Sequence, residues 1–145
     1  MSINKFLSQE EEVQVVQAIK LAEHRTSGEI RIHIESVCKG DVLDRAAWLF
    51  KQLKMHKTEL RNGVLIFLST SDRKFAILGD AGINAVVPEG FWNDVKDLMI
   101  SNFAKGDLLQ GFVLGIASVG EKLKEFFPYQ EDDVNELPDE ISYGK

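Results

Sequence analysis

Apolar residues recur along this chain in two periods, and each switch between them marks a new element. Ser8-Gln9-Glu10-Glu11 is a capping box, in which the Ser8 hydroxyl accepts from the Glu11 amide and the Glu11 carboxylate reaches back. Val15, Val16, Ile19 and Ala22 then recur at helical spacing, so a first helix is predicted from Ser8 to about Arg25. After Thr26-Ser27-Gly28 the period drops to two. Glu29-Ile30-Arg31-Ile32-His33-Ile34-Glu35 alternates strictly, which predicts a strand with isoleucines on one face and charged groups on the other.

Asp41 can cap a second helix whose buried face would be Leu43, Ala46, Ala47, Phe50 and Leu53, ending near Met55. Two apolar runs follow, Val64–Leu68 and Phe75–Leu78, joined by Ser69-Thr70-Ser71-Asp72-Arg73; they predict a buried antiparallel hairpin in the middle of the sheet. A helix between two strands implies a right-handed crossover, so the strand at Glu29 should run parallel to the strand at Gly63. Pro88 is placed to begin a third helix carrying Phe91, Val95, Leu98 and Met99, and Asp107 to cap a fourth carrying Leu109, Phe112, Val113, Ile116 and Leu123. Gly111 and Gly115 each weaken that helix by about 1 kcal/mol relative to Ala, so a close helix contact is expected there. The fold class is α/β, a three-layer α/β/α sandwich around a central mixed β-sheet.

Composition narrows the function. At 145 residues and 44% hydrophobic content the chain suits one domain, taken as 1–128, with 129–145 an acidic, extended or loosely docked tail. That tail carries six acids and one Lys, and so most of the formal charge of −6. The nearly neutral body lacks the basic concentration that nucleic acid requires. The single cysteine, Cys38, makes neither an intrachain disulfide nor a cysteine zinc site, and its simplest role is packing. No apolar run reaches the roughly 18 residues of a membrane span, and the N-terminus has no export signal, so a cytoplasmic monomer without membrane insertion is expected. His33 reads as a surface residue of the strand's polar face, and Trp48 and Trp92 as fillers of core or groove.

The candidate chemistry is carboxylate chemistry. If the first two strands are parallel, Glu29 and Asn62 open them at the same end of the sheet, and Asp80, closing the hairpin, joins them. Oxygen-bearing side chains at one rim suit a hard cation such as calcium, although on the pattern alone turn roles for Asn62 and Asp80 are the stronger reading. A second acidic group, Asp41, Asp44 and Asp72, falls at the opposite rim, where open sheets often bind ligands. Here too the helix cap at Asp41 and the turn at Asp72 are sufficient structural reasons.

Five motifs together resemble the TPM domain family: Thr26-Ser27-Gly28-Glu29-Ile30, Asn62-Gly63-Val64-Leu65, Asp72-Arg73-Lys74, Gly79-Asp80-Ala81-Gly82 and Phe103-Ala104-Lys105-Gly106-Asp107. The resemblance runs from about Phe6 to Phe127 and is to the short, stand-alone bacterial form. It implies a sandwich of helices around a mixed sheet, binding of a divalent cation, Ca2+ or Mg2+, and the weak acid phosphatase activity of plant members. Carried over by position, the ligand set would be Glu29, Asn62, Asp80 and Asp107; the acidic group at the opposite rim, Asp41, Asp44 and Asp72, is the second choice apart from the resemblance. The function expected is a cation-binding module for an unidentified protein partner. A metal-assisted phosphatase and a metal-free structural adaptor are the alternatives.

Overall fold

The structure is a computed structural model and describes residues 7–58, 60–129 and 141–144. Helix α1 (Gln9–Glu23) starts in the Ser8 capping box, both halves of which form. Strand β1 (Glu29–Glu35), helix α2 (Val42–Gln52), a 3₁₀ turn at Met55–Lys57, and strands β2 (Gly63–Ser69) and β3 (Lys74–Gly79) follow. A single helical turn α3 (Ala81–Asn84) leads to helices α4 (Phe91–Ala104) and α5 (Leu108–Phe126), and a two-residue strand β4 (Ser142–Tyr143) closes the described chain. Asp41 and Asp107 are helix caps: Asp41 accepts from the amides of Leu43 and Asp44, and Asp107 from that of Gln110. The third long helix begins at Phe91 rather than Pro88, because Pro88 first makes a turn that ends on Gly90 at φ 84°.

The sheet has the order β3-β2-β1-β4. Strand β1 pairs parallel with β2, Glu29 opposite Gly63 through Glu35 opposite Ser69, and β2 pairs antiparallel with β3. The hairpin is therefore not the middle of the sheet. β3 is an edge strand, and the centre is β2 with β1, since β4 adds itself parallel to β1 at His33 and Ile34. The neighbouring residues 130–140, and with them most of the acidic tail, lie outside the described part.

Alternation along the strands sorts side chains into two cores. Ile30, Ile32, Ile34, Val64, Ile66 and Leu68 face α1, α4 and α5, while Leu65, Phe67 and Ala76 face Ala46, Leu49 and Phe50 of α2. The result is three layers. Each fully buried isoleucine contributes about 1.5–3 kcal/mol through apolar area removed from water. Close packing of α4 on α5 is the reason for the α5 glycines, as a Cβ at Gly115 would overlap Met99 and one at Gly111 the Phe103 ring.

Three expectations from the hydrophobic pattern fail. On α2, Ala47 is exposed, and so is Leu43, which shares a helix face with Phe50 but stands two turns earlier, about 10 Å along the axis. Trp48 is 52% exposed and carries the Arg45 guanidinium 4.6 Å above its ring. The charged face of β1 is not a solvent face either: Glu29, His33 and Glu35 are all buried, with Ser142 of β4 against His33 and Arg45 of α2 against Glu35.

Candidate functional site

The amino end of the parallel strands brings together Glu29, Asn62 and Asp80 as their sequence positions suggest. The Glu29 amide donates to the Asn62 carbonyl at 3.4 Å, and the Asp80 amide to the Gly63 carbonyl at 2.9 Å. All three side chains are buried. Arg61, held at φ 53°, closes over this end and grips Asp80 with both arms of its guanidinium, Nε to Oδ2 at 2.7 Å and an Nη to Oδ1 at 2.8 Å. Asp80 Oδ1 also accepts from the Ala81 amide at 2.7 Å, as the cap of α3. Burial pushes the Asp80 carboxyl up, but the hydrogen bonds from Arg61 and Ala81 outweigh it and hold the group below the usual carboxylate range. Both oxygens of Asp80 are thus committed to a guanidinium in a planar fork. A calcium ion at Asp80 would have to displace it. Around it, Asn62 Nδ2, Thr58 Oγ1 and His56 Nδ1 are buried with no hydrogen-bond partner among the described residues.

Asp107 is not at this rim. Its neighbours Gly106 and Leu108 border a groove with Ser69, Thr70 and Arg73, which places the α4–α5 corner beside the hairpin turn, at the opposite end of the sheet. The first-choice ligand set is therefore divided, three residues at one end and one at the other.

The hairpin end gathers the second-choice set. Asp72 Oδ2 accepts from the Cys38 amide at 2.9 Å and Oδ1 from the Ser69 hydroxyl, which ties the loop after β1 to the hairpin turn. These bonds hold the Asp72 carboxyl below its ordinary range, the Ser69 hydroxyl most of all. Lys74 completes the tie. Its ammonium donates to the carbonyls of Cys38 at 2.7 Å and Gly40 at 2.9 Å, with Asp72 Oδ2 at 3.9 Å. Asp41 and Asp44 follow directly on this loop and are exposed, with no ion pair among the described residues. Cys38 itself is buried against α2, and burial pushes its thiol up, which makes it a packing residue.

A second polar group at this end escaped the sequence reading. His33, 4% exposed, meets Ser142 Oγ through Nδ1 at 2.9 Å and Glu35 Oε1 through Nε2 at 3.0 Å; Glu35 in turn receives Nε and Nη2 of Arg45. Burial lowers the His33 pKa and the Glu35 hydrogen bond only partly opposes it. Burial raises that of Glu35, but Arg45 and His33 more than reverse it. The group is a neutral imidazole beside a carboxylate whose counterion is Arg45. Its one sequence signal was the pair of ionisable residues on one strand face; the partner Ser142 lies 109 positions away in sequence.

Among the described residues, no three His, Cys, Asp or Glu side chains come together as a ready-made metal cage, and no helix is long and apolar enough to cross a membrane.

Comparison with known proteins places these features in a family. A family profile described as TPM domain matches residues 3–122. The NMR structure of BA42 protein from the psychrophilic bacterium Bizionia argentinensis is similar at 46% identity and TM-score 0.92, over 99% of each chain. The N-terminal domain of a P. gingivalis protein shares the fold at 21% identity and TM-score 0.67, covering 83% of this chain and 78% of that one. That of cg2496 from Corynebacterium glutamicum shares it at 13% identity and TM-score 0.60, covering 81% and 74%. No curated protein matches.

Proposed function

The chain belongs to the TPM domain family, and on that premise we propose that it binds a hard divalent cation, calcium or magnesium, at the hairpin end of the sheet. Asp72 and the carbonyls of Cys38 and Gly40 would hold the ion, with water completing its shell and Asp41 and Asp44 adding negative charge beyond that water. One observation carries this reading: the Lys74 ammonium already sits among the carbonyl oxygens of Cys38 and Gly40 and near the Asp72 carboxylate. That is the oxygen-rich surrounding a hard cation requires, gathered around a positive charge. At the other end a guanidinium occupies both oxygens of the one available aspartate. Affinity should be modest, because the ion competes with Lys74 and is held by groups from separate loops. Binding to the folded state alone would stabilise it and fix the loop at 38–44 against the hairpin turn, a rigid surface for a protein partner.

Amide chemical-shift titration with calcium and with magnesium tests the placement. Shifts should concentrate at residues 38–44 and 69–74, be lost in Asp72→Asn, and grow in Lys74→Met, where the competing ammonium is gone. Shifts centred instead on Arg61–Gly63 and Gly79–Gly82 would put the ion at the closed end and sink the proposal. A second reading, metal-assisted phosphoester hydrolysis, has one observation in its favour: Arg73 and Lys96, without ion pairs among the described residues, stand near this end and could face phosphoryl oxygens. Cation-dependent release of 4-nitrophenol from its phosphate ester, lost in Asp72→Asn, is what that reading requires.

A further inference from the structure

Between the hairpin and the corner of α4 and α5 lies a groove of about 540 Å3. Its size falls within the roughly 300–1,000 Å3 of ordinary small-molecule sites. Leu68 and Phe75 form the buried floor, and Phe103 and Leu108 are partly buried in the walls. Ile100, at 39% exposure, continues the apolar surface outward. Two cations border it. Arg73 projects from the hairpin turn, where its backbone is held at φ 54°, and Lys96 stands one helical turn before Ile100 on α4. Both are exposed, and neither has a hydrogen bond or ion pair among the described residues.

Three other cations near the ends of the sheet are already committed. Arg45 is spent on Glu35, Arg61 on Asp80, and Lys74 on the carbonyls of Cys38 and Gly40. The polar groups in and beside the groove are also committed: the Ser69 hydroxyl donates to Asp72, the Thr70 hydroxyl to the Glu35 carbonyl at 3.3 Å, and the Asp107 carboxylate caps α5. The groove therefore offers two uncommitted positive charges and an aromatic and aliphatic floor, in a chain whose formal charge is −6.

We propose that this groove is a binding site for a small amphipathic anion, whose carboxylate or phosphate head meets Arg73 and Lys96 and whose apolar body lies on Phe75, Ile100 and Phe103. A purely apolar ligand would leave both cations without a counter-charge, and a bare anion would leave the floor wet, so only a molecule with both parts uses all the surface present. Guanidinium and ammonium both accept either head, which is why head and body are tested separately. The proposal does not depend on the divalent cation, although it lies at the same end of the sheet.

The test is an amide-shift titration of the whole chain with decanoate, decyl phosphate, inorganic phosphate and decanol, below their aggregation concentrations and with EDTA present. Decanoate and decyl phosphate should both shift the amides at 68–75 and 96–108, and whichever binds more tightly identifies the preferred head. Inorganic phosphate and decanol should each bind at least tenfold more weakly. The double variant Arg73→Asn, Lys96→Gln changes two exposed side chains, with Asn tolerating the left-handed backbone. It should keep the wild-type melting temperature and lose tenfold or more in affinity for both amphiphiles, and Ile100→Gln should lose as much without adding a charge beside Lys96. Decanol binding as tightly as decanoate would overturn the proposal, as would equal binding of inorganic and decyl phosphate. So would full affinity in the double variant, or binding that appears only when calcium replaces EDTA.

Discussion

The two ends of the sheet solve the problem of polar residues beside a buried core in opposite ways. At the amino end of β1 and β2 the charges are inside and internally matched: Asp80 is 6% exposed and clasped by Arg61, and the first turn of α3 docks on the backbone at Leu60 and Arg61. At the hairpin end Glu35 is also buried and matched, by Arg45 and His33, and Asp72 and Lys74 are tied down, but Asp41, Asp44, Asp107, Arg73 and Lys96 stay exposed. An end that has satisfied itself holds the fold. An end with charge left over is where a ligand gains most, because Arg73 and Lys96 need break no bond to meet one.

The difference should appear most strongly in a pair of glycine substitutions. In Gly82→Ala the new methyl meets the carbonyls of Leu60 and Arg61, backbone that cannot turn aside, and about 3 kcal/mol should be lost. Gly106→Ala at the open end meets nothing within 4 Å and suffers only from its backbone at φ 83°, about 1 kcal/mol. Denaturant midpoints at unchanged slope measure both. Similar losses would mean the ends are equally tight.

Next in size is Asp80→Asn, which keeps the bond from Ala81 but turns a charged fork into a neutral contact. With Arg61 half in water and screened, the loss should be about 1 kcal/mol. The acid limb carries the signature. Because the folded pKa of Asp80 is depressed, its stabilisation is present above the ordinary aspartate range and disappears as pH falls through the folded value. The variant's stability should fall less between neutral and acid pH than the wild type's.

His33 adds a separate limb. Its folded pKa lies below the ordinary histidine value of about 6.5, so on acidification the unfolded chain takes up the proton first and stability begins to fall there. Glu35, also depressed, extends the loss into the carboxylate range. In His33→Gln the decline should start only in the carboxylate range; a wild-type curve that stays flat from neutrality to that range would show that His33 is not held neutral. The smallest effect is Asp44→Asn, within about 0.5 kcal/mol without calcium as for any surface change away from special features, yet expected to weaken the calcium shifts. If it left them unchanged, the ion would be held without Asp44.

Much of this arrangement is legible in the residues. Strict alternation in β1, the uninterrupted run of β2 and a helix between them lead to parallel pairing, and thus to Glu29, Asn62 and Asp80 at one end. Asp107 is misplaced because a cap motif says where a helix starts along the chain, not where in space. Length supplied the missing information: fourteen residues of α4 at 1.5 Å each span about 21 Å, which carries the chain from Trp92, bonded to Asn84 near Asp80, to Phe103, packed on Phe75 near the hairpin turn. The buried charge on β1 was beyond such reasoning. Period two separates the faces of a strand but does not say what covers each, and one cover, at Ser142, comes from the far end of the chain. The grip of Arg61 on Asp80 depends on a left-handed backbone at a non-glycine residue, which local sequence does not announce.

Strand β1 has helices over one face, buried ionic groups on the other, β2 along the whole of one edge and β4 along part of the other. Amides of alternate β1 residues point to opposite edges, and those of Glu29 and the odd positions after it face β2, so exchange at Arg31 and His33 needs the two central strands to part and should be among the slowest in the protein, reporting its global free energy of unfolding. The amide of Gly144, bonded to the Ile34 carbonyl at 2.8 Å, hangs from a strand of two residues and can exchange when that strand alone lifts away. The gap between those two rates is a direct reading of how much less it takes to uncover the edge of the sheet than to unfold it.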